Sequence, residues 1–165
     1  MNSPRAVWRE GITAGILGAV GVAAWILAVD SVAGHPFYTP AFLGRATLSV
    51  LGRGIEDHSM TFFVVGYTVL HLAVFIGMGC IASVLMTSIG RAPQFTAMLA
   101  LFFAVFEVGF YFATKMLSAG EVLGSLSWYQ IGAANLVASV VMGAYLLRRH
   151  PEFGSNLTHA LDGSS

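Results

Sequence analysis

The chain has 165 residues, 56% of them hydrophobic and 10% charged, with a mean hydropathy of +0.77. A soluble fold of this size cannot hide so much apolar surface, so the expected solvent is lipid. Eight basic residues cancel eight acidic ones, and no charge surplus points to nucleic acid.

Charges divide the sequence into four apolar spans, with helices expected at about 11–33, 60–86, 93–115 and 124–147. Each reaches the length of about 20 residues that a membrane-crossing helix needs. Unpaired backbone is not tolerated in hydrocarbon and spans this long do not close a barrel, so helices are the expected form. The fold class is therefore an all-α integral membrane protein: a four-helix transmembrane bundle over residues 1–149, followed by a polar, disordered tail at 150–165. No internal repeat suggests a duplicated transporter half.

The first span runs uncharged from Gly11 to Val29 and is closed by Asp30. Arg5 and Arg9 before it, and Ser31-Val32-Ala33 after it, have the flavour of a signal peptide. Its apolar stretch exceeds the roughly 7–15 residues of such a segment, which favours a retained helix. Gly11, Gly15 and Gly18 form a small-residue stripe along it. The fourth span carries Ala134, Ala138 and Gly143 at similar spacing. Small residues let helix backbones approach in lipid, so these two helices are expected to meet, within one chain or between copies.

Between the first two spans, Thr39-Pro40 looks like a helix start, with Thr39 as N-cap and Pro40 at the first helical position. Phe42, Leu43, Ala46, Val50 and Leu51 then recur at helical spacing, and Gly52 and Gly54 supply a stop. A helix over about 40–52 is too short to span, and is expected to lie in the interface. Just before the second span, Asp57 and His58 could join His35 in holding a divalent ion. The simpler role there is capping of the helix by Asp57 or Ser59.

The second span is uncharged from Ser59 to Gly90 and contains Tyr67, His71 and the lone cysteine, Cys80. One cysteine excludes an intrachain disulfide or a paired-cysteine metal site, and its expected role is packing. The third span is crowded with aromatics, including Phe102, Phe106, Phe110 and Tyr111, and is interrupted by Glu107. These rings fill a bundle or offer a slot to a flat ligand. Trp128 and Tyr129 fit an aromatic belt at the start of the fourth span. Arg5, Arg9, Arg91, Arg148 and Arg149 fall on one side of the four-span topology, against Arg45, Arg53 and Lys115 on the other. That asymmetry places both termini in the cytoplasm.

Three polar residues are expected at about a common depth: His71 and Glu107 slightly to the outer side of the midplane, and Asn135 at the midplane itself. A carboxylate there costs at least about 2.5–3.5 kcal/mol on the insertion scale, so Glu107 should face inward toward a partner. His71 is the first candidate, with Asn135, Tyr67 and Tyr111 as further hydrogen-bonding groups. Asp30 could cap the first helix or join the cluster. The set could relay protons or hold a ligand, or clasp the helices in register. A haem between two membrane histidines lacks its second histidine, whereas His71 alone could ligate a chlorin. No serine-hydrolase, zinc-protease, phosphate-loop or redox motif occurs, and no cofactor is required by the sequence.

The run Gly34-His35-Pro36-Phe37-Tyr38-Thr39-Pro40-Ala41-Phe42-Leu43-Gly44, with Tyr67-Thr68 and His71, resembles a segment of small, uncharacterised bacterial four-helix inner-membrane proteins. The resemblance covers about the first half of the chain. It implies a bacterial inner-membrane location and brings no activity or catalytic residue. The functional expectation is a non-enzymatic membrane protein, surrounded by lipid and serving as an accessory or structural subunit of a larger complex or as a self-assembling bundle. Two alternatives stand beside it: a small proton-coupled carrier or channel using His71 and Glu107, and a pigment- or quinone-binding subunit of an electron-transfer complex.

Overall fold

The computed structural model describes residues 4–51, 58–88 and 128–150. Within them lie four helices: α1 (Pro4–Val32), α2 (Tyr38–Leu51), α3 (Met60–Ser88) and α4 (Trp128–Arg149). The described residues contain no strand. The expected span 93–115, with Glu107 and Tyr111, lies outside the described residues. So do Gly52, Gly54 and Asp57, and the tail beyond His150.

Three helices are long and apolar enough to cross a membrane: Arg5–Val32, Met60–Met86 and Tyr129–Arg149, with mean hydropathies of 2.2, 2.3 and 1.5. Val20, Val69, Leu136 and Val140 stand more than half exposed on them. Such side chains suit lipid as a solvent and not water. The chain is an integral membrane protein. Where hydroxyls occur in these helices, Thr13, Thr68 and Ser139 donate to the carbonyls of Arg9, Val64 and Asn135 one turn back. Each hydroxyl proton is thereby satisfied without water.

The helix ends follow local chemistry. Proline suits a first helical turn, and α1 starts at Pro4, earlier than the uncharged stretch indicates. Gly34 ends it in the left-handed region, at φ 81°. Its N–H donates to Ser31 O (3.1 Å) and the His35 N–H to Asp30 O (2.9 Å), the paired closure that a left-handed glycine permits. At α3, Ser59 is the cap: the Phe62 N–H donates to its carbonyl at 3.0 Å and to its Oγ at 3.4 Å.

α1 is the central helix, packed against both α3 and α4, while α2 packs against α3. The start of α1 lies beside the ends of its two neighbours. Ser83 Oγ donates to Val7 O at 2.9 Å, and Ala14 packs with Ala82, Met86 and Leu146. At the opposite end, Trp25 Nε1 donates to Gln130 O at 3.2 Å. α3 and α4 therefore both run antiparallel to α1 and parallel to each other.

The small-residue stripe of α1 divides between two partners: Gly18 meets α4 as expected, and Gly11 and Gly15 do not. Gly11 and Gly15 face α3, not α4. A Cβ on Gly11 would lie 2.5 Å from the Cys80 Cα, and one on Gly79 would lie 2.5 Å from the Gly15 nitrogen. Only hydrogen fits at those positions, so the two backbones are in direct contact and Cys80 is a packing residue there. α4 meets α1 further along, where Ala134 and Ala138 pack with Ala19, Val22 and Phe75. Gly18 sits there under the Met142 side chain, while Gly143 has no neighbour within 4 Å among the described residues. The physical reason is complementarity: Gly79 gives α3 a matching flat surface, whereas α4 presents side chains.

Candidate functional site

A cavity of about 360 Å³ opens where α1, α2, α3 and α4 converge, toward the Asp30 end of the bundle. It falls within the size range of small-molecule sites. Its walls are mostly apolar, with Val20, Leu27, Leu43, Val64, Phe75 and Ile131 contributing the body. The polar groups on it are few: Asp30, Thr39, Tyr67, Thr68, His71 and Asn135.

Each polar group is placed by a definite local cause. Helical spacing puts Tyr67, His71 and Phe75 on one face of α3. The imidazole lies between the other two rings, at 5.6 Å from Tyr67 and 4.6 Å from Phe75. Its Nε2 is 3.3 Å from Ala19 O in α1. A carbonyl can only accept, so this contact puts a proton on Nε2. Asn135 is buried at the α4 wall, next to Ala134 and its contact with α1. Thr68 commits its hydroxyl proton to Val64 O, which lowers its capacity to bind anything else.

The Asp30 carboxylate does not cap α1, and the residue borders the same cavity as Tyr67, His71 and Asn135. Its Oδ2 accepts from the Thr39 N–H at 2.8 Å and its Oδ1 from the Thr39 hydroxyl at 2.7 Å. Both residues are buried, at 5% and 3% exposed. Thr39 is thus not the N-cap of α2. The helix begins at Tyr38, and Asp30 from α1 receives the donors at its first turn, where the helix dipole favours an anion. This bond ties α2 over the cavity. Behind it, Gly44 lets α2 lie against the backbone of Phe63, and the Arg45 guanidinium sits 5.0 Å over the Phe63 ring.

From Ala19 to Asp30, α1 rises about 16 Å at about 1.5 Å per residue, so the cavity reaches from one end of the bundle to about mid-depth. Of the six expected polar residues, Asp30, Tyr67, His71 and Asn135 border this one space. Glu107 and Tyr111 lie outside the described residues. Of the expected metal ligands, His35 is exposed beyond the end of α1 and His58 rests 4.4 Å from the Phe62 ring. No three histidine, cysteine or carboxylate side chains come together as a metal site among the described residues.

Sequence reasoning missed a pair at the other end. His150, 4% exposed, ends α4 with its N–H donating to Leu146 O at 3.1 Å. Its Nε2 lies 3.0 Å from Glu10 Oε2, joining α4 to α1. The polar tail is therefore anchored at its first residue. A partner 140 positions away leaves no local pattern to read. Arg5, Arg9, Arg148 and Arg149 are exposed around the pair.

No protein-family model, curated protein or solved structure matches the chain.

Proposed function

We propose that this chain is a non-enzymatic protein of the bacterial inner membrane, an accessory subunit whose bundle holds a small, largely apolar molecule. One observation carries the reading: an apolar cavity of about 360 Å³ bordered by a few convergent polar side chains. The basic residues at the Glu10 end favour that end, with both termini, on the cytoplasmic side. Trp25, Tyr38 and Tyr129 at the other end fit a membrane–water boundary.

The geometry favours a ligand-holding subunit over a proton-coupled carrier, because the His71 ring is engaged by the α1 backbone and two flanking rings. It also bears on the pigment alternative. A metal in a flat ring could be ligated through Nε2 only by breaking the bond to Ala19 O. A ligand held by packing and hydrogen bonds, as quinones are, suits the site better.

Native mass spectrometry of the protein, extracted without detergent washing from its own membrane, tests the reading. A stoichiometric small-molecule mass on the chain or its complex is expected. Intact protein that repeatedly leaves the membrane with no small molecule would overturn it.

A further inference from the structure

Asp30 is a buried carboxylate with no cationic partner among the described residues; its two oxygens are taken by Thr39 alone. Two neutral donors and the start of α2 stabilise it. The helix end supplies only about half a positive charge. Burying an anion in a largely apolar wall remains costly without a counter-charge.

Its position is as informative as its charge. Asp30 and Thr39 border the inner apolar cavity and also a second, more open groove at the end of the bundle. That outer groove is lined by Trp25, His35, Tyr38 and Gln130. The Trp25 indole is fixed there by its bond to Gln130 O. Tyr38 is held by stacking on Phe42, with ring centres 6.0 Å apart and planes 16° from parallel. His35 lies 6.5 Å from the Tyr38 ring and forms no ion pair with Asp30. A carboxylate and aromatic side chains lining one groove are the kind of groups with which proteins bind ammonium ions. On the inner side of the same carboxylate lies space for an apolar body.

From these features we infer that the site takes an amphipathic amine: a cationic ammonium head against Asp30, Trp25 and Tyr38, and an apolar tail in the inner cavity. The inference rests on the ligand-binding reading above and names the class of ligand. Asp30 supplies the counter-charge, the rings supply cation–π contact, and Val20, Leu27, Leu43 and Val64 pack against the tail. A quinone or an alcohol with the same tail would fill the cavity and leave the carboxylate without its counter-charge.

A head-group series on the full chain in nanodiscs tests this. Dodecylamine, dodecanol and a short-tailed neutral quinone are compared for affinity at one pH and salt concentration. The amine is expected to bind at least about tenfold tighter than the alcohol, and Asp30→Asn should abolish that preference. Trp25→Leu, which leaves the carboxylate in place, should weaken the amine several-fold. Equal affinity of amine and alcohol for the wild type, or a quinone that outcompetes the amine, overturns the inference and leaves the cavity reading standing. Failure of all three probes to bind folded protein overturns both. The wild-type comparison decides the matter even if Asp30→Asn fails to fold.

Discussion

The two ends of the bundle are built on opposite principles. At the Glu10 end, backbone lies on backbone: Gly11 and Gly15 touch Gly79 and Cys80, Ser83 binds Val7 O, and Ala14 is wholly buried among Ala82, Met86 and Leu146. At the Asp30 end the helices border a cavity, and one carboxylate ties α2 over it. In lipid there is no hydrophobic drive between helices, so close packing and polar contacts must supply cohesion. The α1–α3 seam at one end, and Gly44 of α2 on the Phe63 backbone at the other, supply that cohesion around the space that stays hollow. The difference separates the part that holds the fold from the part that can bind.

The comparison can be broken most sharply at the solid end. Gly79→Val places a branched side chain where the Gly15 backbone already sits, and should cost about 3 kcal/mol or more. Thermal unfolding of the intact chain would show the loss, and an unchanged midpoint would mean that the seam is looser than described. Asp30→Ala comes next. It strands the buried N–H and hydroxyl of Thr39, for an expected cost of about 2–3 kcal/mol. Hydrogen exchange should rise selectively in α2 and leave the Gly79 region protected. His150→Ala removes one contact that joins α1 to α4 and should cost about 1 kcal/mol, read as a small drop in the same midpoint. Gly143→Ala is the control. A Cβ there meets nothing within 4 Å among the described residues, and the change should stay within about 0.5 kcal/mol.

Much of the fold was legible in the sequence because lipid imposes length and composition on every span. α1, α3 and α4 cover the apolar runs read as first, second and fourth helices, and α2 sits in the connection where Thr39-Pro40 marked a start. What the sequence left open was pairing. A stripe such as Gly11-Gly15 reports that a backbone can approach closely, and any flat partner satisfies it. Here Gly79 of α3 does so and Gly143 of α4 does not. Matching depth was a better guide for the polar residues, since His71 and Asn135 border one space. Their individual partners were not readable. His71 bonds a backbone carbonyl, which every residue carries, and Asp30 bonds the start of a different helix from the one it ends. Glu10 and His150 meet only through the tertiary fold.

The central claim is that the hollow end is occupied by a small molecule in the membrane. Native mass spectrometry of wild type beside Val64→Trp, which enlarges a wall residue of the cavity, tests it most directly. The wild type should carry a stoichiometric small-molecule mass, and the variant should fold, match the wild-type unfolding midpoint or exceed it, and lose that mass. The same bound mass on both proteins would place the ligand elsewhere and contradict the account.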